Sequence, residues 1–309
     1  MSGLEGIQGN ITGGALLAFL VALGFVAGIF AGLFGIGGAF LVNPVLIVLV
    51  GINESLVIGS GLSFIIGTSA AGVVRHMRSG NVEHRGALTL GLGAVIGAYL
   101  GTLMHVGLKA SLGEARFRTL VLFLYAGLLM LTAWLMYRDT PRSKGNRSLL
   151  ERLPLPPHID LPMANLTHVS APGLTLVGVV IGLVTGMIGI GGGVLFVPLL
   201  ILVVGLNAHL AVGTSLGVVL LGSISGAASH CLEGNVSLWL AMPLLVGSSI
   251  GVQLGGYVCD RLRAKRLRRW FAIVLLLAVV MVVCDIARHM TRPPAKAPKP
   301  PTAATSKAA

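Results

Sequence analysis

The sequence predicts an all-α polytopic membrane protein of about ten membrane segments. They form two inverted repeats of five, each with a Gly-rich break followed by a short half-helix. Three observations predict this. Hydrophobic residues make up 55% of the chain and charged residues 10%, with a mean hydropathy of +0.91; a soluble domain carries about 25% charged residues. A long stretch occurs twice: Gly-Leu-Phe-Gly-Ile-Gly-Gly at 32–38 and Gly-Met-Ile-Gly-Ile-Gly-Gly at 186–192, an offset of 154 (186 − 32). The offset holds without a gap from 24 to 101, where roughly 30 of 78 aligned positions are identical. Finally, the charges of matching connections disagree. Arg75, Arg78 and Arg85 of the first copy face Ser229, Leu232 and Trp239 of the second. Positive connections face the cytoplasm, so equivalent loops fall on opposite sides.

The segments of the first half are 12–34, 39–50, 56–74, 86–106 and 117–137. Those of the second are 174–188, 194–204, 209–228, 236–258 and 270–287. Most are apolar runs near the 20 residues that a bilayer requires. The second segment of each half is too short. Twelve residues make about 18 Å of helix, against a hydrocarbon core of about 30 Å. It reads as a half-helix, entered through the glycines and ended by Gly51 or Gly205. Irregular backbone at membrane depth is tolerated only when buried in protein or lining a cavity.

The chain therefore divides into a first membrane repeat (1–137), a basic, Pro-interrupted cytoplasmic linker (138–172), a second repeat (173–290) and a Pro/Lys-rich tail (291–309) expected to be disordered. The net charge of +12 resides in connections and tail. It reads as topology information, not as nucleic-acid binding. Residues 1–10 lack the basic start of a cleavable signal. The three cysteines, Cys231, Cys259 and Cys284, have no metal spacing and read as small apolar packing groups.

Four sets of residues could carry chemistry. The first is the break itself: Gly35, Gly37 and Gly38, with Gly189, Gly191, Gly192 and Gly193, each followed by a short run holding Asn43 and Pro44, or Pro198. Glycines let a ligand approach bare N–H groups, and a helix starting there offers a positive dipole end to an anion. Transporters use interrupted helices in this way. The bland alternative is glycine for tight helix crossing. The second set has glycines at four-residue spacing: Gly24, Gly28 and Gly32, Gly93, Gly97 and Gly101, and their copies. These read as packing seams. The third set is hydroxyls in the third segment. Ser60, Thr214 and Ser215 lie close in sequence to the break and could line a site; bonding to their own helix carbonyls is the ordinary alternative. The fourth is His76 and His230, which could carry protons or could cap helix ends. Asn81 and Asn235, in the Gly-Asn-Val turns that follow, suit turn geometry. No catalytic constellation, metal-ligand cluster or cofactor motif is present in the sequence, so an enzyme is not expected.

With these residues in hand, the chain resembles the TauE/SafE family of sulfite-exporter-like transporters. The Gly-x-Gly-Gly stretch followed by Pro matches Gly35, Gly37, Gly38 and Pro44, and again Gly189, Gly191, Gly192 and Pro198. The His-then-Gly-Asn-Val turn matches His76 and 80–82, and again His230 and 234–236. The acid after that turn is Glu83 in the first copy and is replaced by Ser237 in the second. The resemblance implies secondary transport of small sulfur-containing anions, such as sulfite or organosulfonates, across a bacterial inner membrane, with a proton or another ion as coupling partner. A homodimer is compatible with the sequence. A passive anion channel and a non-transporting scaffold of a sulfur-metabolism system are the competing readings.

Overall fold

The computed structural model describes residues 13–137, 155–188 and 193–291. The chain begins with α1 (Gly13–Phe34) and breaks at once. Gly35, Gly37 and Gly38 have φ of 73°, 85° and 99°. This left-handed region is open to glycine at little cost and strained for other residues, which is why the helix stops here. The chain then re-enters as α2 (Ala39–Pro44), continuous with a π-helical turn at Val45–Val50. Pro44 has no N–H to give to the preceding turn, and the widened turn follows directly. The second half repeats the device with α7 (Gly193–Leu199), which contains Pro198, and its π-helical turn Leu200–Val204. Gly51 and Gly205 end both in left-handed geometry.

The third helices follow, α3 (Glu54–Arg78) and α8 (Ala208–Leu232). Asn53 caps α3 by accepting the Ser55 N–H, and Asn207 caps α8 by accepting that of Leu210. Then come α4 (His84–Leu112) and α5 (Glu114–Tyr137) in the first half, and α9 (Leu238–Arg261) and α10 (Ala264–Thr291) in the second, which opened with α6 (Ala171–Ile188). Among the described residues, six helices are long and apolar enough to cross a membrane: α1, α3, α4, α6, α8 and α9. Broad apolar faces remain exposed, including Leu88, Leu92 and Ile96 on α4 and Met242, Val246 and Ile250 on α9. Their four-residue spacing puts each set on one helix face, toward lipid.

Between the halves the described residues hold one short hairpin in the Pro-interrupted linker. Strands β1 (His158–Leu161) and β2 (Leu166–Ser170) pair antiparallel around the 3₁₀ turn Pro162–Ala164. Leu161 and Val169 are fully buried. The hairpin is tied to the turn after α3: the Met163 N–H donates to Glu83 Oε2 at 2.8 Å, and Arg85 donates to the Asp160 carbonyl at 3.4 Å. Short strands in a Pro-rich setting give too few alternating positions to stand out in sequence.

The glycine seams join the halves. Gly24, Gly28 and Gly32 of α1 lie against the backbone at Leu244, Ser248 and Val252 of α9. Gly93, Gly97 and Gly101 of α4 lie against Thr175, Val179 and Leu183 of α6. A Cβ at any of these glycines would fall within 3.0 Å of the partner's backbone, so only glycine permits the approach. Each half thus lends its first helix to the fourth helix of the other. The ascending order of the pairs means that α1 and α9 run in the same direction, as do α4 and α6. One apolar core passes through both halves, with Leu20, Val42, Phe64 and Leu90 beside Leu174, Phe196, Val218 and Leu244.

Candidate functional site

The first break is folded back into the centre of the molecule. Gly37 sits between Ile65 of α3 and Val219 of α8, where a Cβ would come within 3.1 Å and 3.0 Å of their side chains. Ile65 and Val219 lie near the middle of their helices, so Gly37 stands at mid-depth. Gly38 packs on Ala27 of α1. Gly193, which opens α7, lies directly against Gly35 and Ile36, so the described end of the second break touches the first. Gly189, Gly191 and Gly192 lie outside the described residues. Ser215 is fully buried, and its hydroxyl is within donating reach of the Gly35 carbonyl at 2.9 Å and the Val212 carbonyl at 2.7 Å. It therefore helps hold the break in shape. Asn43 is buried on α2 and reaches toward α3, where Gly61 leaves it room: a Cβ there would lie 2.7 Å from Asn43 Oδ1. Pro44 and Pro198 are buried in the half-helices.

Ser60 and Thr214 accept hydrogen bonds from the opposite half, a use that their hydroxyls alone did not reveal. The Glu83 N–H donates to Thr214 Oγ1, and the Ser237 N–H donates to Ser60 Oγ, both at 2.9 Å. Each half thus satisfies a backbone donor at the start of the other half's fourth helix. Buried N–H groups need such partners.

His76 and His230 are fully buried. Each donates through Nε2 to the other end of its own half, His76 to the Gly32 carbonyl at 2.8 Å and His230 to that of Gly186 at 3.3 Å. A carbonyl only accepts, so Nε2 carries the proton in both rings. Both Nδ1 atoms are buried without a partner among the described residues. The histidines clamp the last turn of α1 and α6, each just before a break.

Two polar clusters break the symmetry of the copies, at opposite ends of α3. At its first turn, Lys109 donates to Ser55 Oγ at 2.9 Å, and Ser55 Oγ lies 3.3 Å from His105 Nε2. His105 Nδ1 donates to the Met187 carbonyl at 2.9 Å, and its ring meets that of His230 at 5.3 Å, edge to face. So α6 is held by two imidazoles at adjacent carbonyls, those of Gly186 and Met187. At the other end of α3, Asp260 accepts from Arg75 at 2.7 Å, from Ser79 at 2.8 Å and from Asn81 at 3.0 Å. The counterpart of His105 is Cys259, and that of Asp260 is Val106. Sequence comparison of the copies could have flagged both differences, since a polar residue stands opposite an apolar or weakly polar one.

Cys259 is buried, as a packing group should be; Cys231 is exposed, so that reading fails for it. Among the described residues, no group of three or more His, Cys, Asp or Glu could hold a metal ion. The arrangement brings the first break against the start of α7, with apolar side chains and the buried Ser215 hydroxyl around it.

A family model described as "Sulfite exporter TauE/SafE" matches residues 20–282. Among curated proteins, the chain is 26% identical to YunE of Bacillus subtilis (strain 168), over 84% of this chain and 94% of that protein. It is 28% identical to YjnA of the same organism, over 85% and 98%, and 26% identical to MJ0441 of Methanocaldococcus jannaschii, over 84% and 92%. All three bear the name "Probable membrane transporter protein". No solved structure matches.

Proposed function

This chain belongs to the TauE/SafE sulfite exporter family, and on that premise we propose that it is a secondary transporter of small sulfur-containing anions such as sulfite or organosulfonates. It works by alternating access around a site between the two Gly-rich breaks, in the bacterial inner membrane. The observation that carries this reading is the meeting of Gly35 and Ile36 with Gly193, while Gly37 lies beside the midpoints of α3 and α8. Two half-helices start toward one central point, and a helix start favours an anion.

The ten segments act as two inverted repeats. The His76–Gly32 bond sets the ends of α3 and α1 side by side, so they run together. A tight turn sends α4 back the other way. Its counterpart α9 nevertheless runs parallel to α1, which supports inversion. The glycine seams are then surfaces on which one half slides past the other. The end bearing Arg75 and Arg78 faces the cytoplasm, by the bias of basic residues. A proton is the coupling ion, with His230 and His105 as the pair that senses it and His76 as the second clamp.

The test is flux in liposomes reconstituted with the purified chain. Saturable sulfite or sulfonate movement that follows an imposed pH gradient supports the proposal. Flux that stays linear in concentration would mean a channel, and no flux of any sulfur oxyanion would leave a scaffold.

A further inference from the structure

We infer that Lys109, Ser55 and His105 form a proton-entry relay, which opens at the end of α3 opposite Arg75 and Arg78 and delivers protons to the imidazole beside His230. The relay deepens the proton-coupling reading above and rests on it for its role in transport; its existence rests on hydrogen-bond directions alone. His105 Nδ1 donates to the Met187 carbonyl at 2.9 Å. A neutral imidazole carries one N–H, so His105 Nε2 is a bare acceptor. An ammonium only donates, so Lys109 Nζ gives its hydrogen to Ser55 Oγ, at 2.9 Å. The Ser55 hydroxyl is left to donate its own hydrogen to His105 Nε2, at 3.3 Å. All three directions agree and point inward. Ser55 and His105 are buried, whereas Lys109 is half-buried in the last turn of α4. Lys109 is therefore the member through which the chain meets water. Chains of ionisable groups inside membranes serve as proton relays.

The step balances. Lys109 passes a proton to Ser55 Oγ as the Ser55 hydroxyl passes its own to His105 Nε2. One N–H and one O–H bond break, and one O–H and one N–H bond form. A hydronium ion in the water at that end restores the Lys109 ammonium, so the net change is one proton moved from water to the His105 ring. Beyond it stands the His230 ring, 5.3 Å away and edge to face. Its Nε2 is engaged with the Gly186 carbonyl, and its Nδ1 is buried without a hydrogen-bond partner among the described residues. A charge on this pair falls at the end of α6, directly before the second break. Other elements around His105 are accounted for. The ring of Phe117 on α5 packs edge to face on it, and Arg116 beside it in sequence is exposed. The sequence of α6 has no ionisable side chain, and Glu54 precedes Ser55 in the first turn of α3. In the other copy, His209, Cys259 and Arg263 take the places of Ser55, His105 and Lys109, and His209 Nε2 donates to the Leu262 carbonyl at 2.9 Å. A thiol stands where the receiving imidazole would be, so the duplication does not repeat the relay.

The test is the rate of proton exchange between water and the His105 ring, read by NMR on the purified full chain with isotope-labelled histidine. His105→Gln assigns the signal, and each variant is checked for a monodisperse folded peak. Ser55→Ala should slow the exchange at least tenfold, because a methyl group neither accepts nor donates. Lys109→Met should slow it as well, and Ser55→Thr, which keeps the hydroxyl, should exchange near the wild-type rate. A merely structural network would lose stability in Ser55→Ala with no change in exchange. That result, or equal exchange in Ser55→Ala and Ser55→Thr, overturns the relay. Flux driven by a pH gradient, alongside exchange that ignores Ser55, would overturn the relay and leave the transport reading standing. Exchange that depends on Ser55, alongside flux that ignores the gradient, would refute proton coupling and leave the relay standing.

Discussion

Gly97→Ala should cost far more than Gly107→Ala, although both replace a glycine on the same helix, α4. At Gly97 the new Cβ would lie 2.7 Å from the Leu183 nitrogen and also strike the Val179 carbonyl. Ordinary contact starts near 3.4 Å, so α4 and α6 must part by at least 0.7 Å (3.4 − 2.7). Both obstacles are backbone and cannot rotate aside. Parting the seam also loosens the close approaches at Gly93 and Gly101. Overpacking of this kind costs about 1–3 kcal/mol, and the rigidity of both sides points to the upper end. Alanine returns about 0.5–1 kcal/mol as a better helix former, which leaves a net loss of about 2 kcal/mol. At Gly107 a Cβ meets nothing within 4 Å, so only the gain remains. Thermal denaturation in detergent, followed by size-exclusion of the surviving fraction, measures the difference. Gly97→Ala should melt several degrees below wild type, and Gly107→Ala at or above it. Equal melting of the two variants would refute the seam.

Three further outcomes follow from the geometry. Thr214→Val and Ser60→Ala each leave a backbone N–H, of Glu83 or Ser237, without its acceptor; each should cost about 1–3 kcal/mol, and an unchanged melting temperature for either would remove the cross-bond from the account. His230→Gln should alter the pH profile of flux while His76→Gln leaves it intact, because the His230 ring meets a second imidazole edge to face at 5.3 Å; identical profiles for both variants would end the proton role. In a background without native cysteines, Ser79→Cys and Glu233→Cys should label from opposite sides of the membrane, and labelling from the same side would exclude inverted repeats.

Much of the architecture was readable from the duplication. The offset of 154 located both half-helices, because a twelve-residue apolar run between glycines cannot span. Glycines four apart announced seams on one face. They could not say which helix fills each seam, since small residues specify closeness and not identity; that the glycine seam of α1 closes on α9 is a tertiary fact. Ser60 and Thr214 stood out as equivalent hydroxyls, yet their use depends on where the opposite half's turn comes to rest. His105 was hidden because its counterpart is Cys259, so a search for shared residues passes over it. The β-hairpin escaped because its strands are four and five residues long.

The most direct test of the central claim is anion binding when the break is disturbed without dismantling the fold. Gly38 has φ 99°, and a Cβ there would meet Ala27 at 3.3–3.5 Å, a tight but not impossible fit. Alanine in this region costs about 1–2 kcal/mol, so the chain should fold while its backbone is pushed away from the required angle. Sulfite binding should be titrated for wild type and for the Gly38→Ala, Gly192→Ala double variant, both verified as monodisperse. The account predicts that binding weakens by more than tenfold in the double variant. A correctly folded double variant that binds sulfite as tightly as wild type would contradict it.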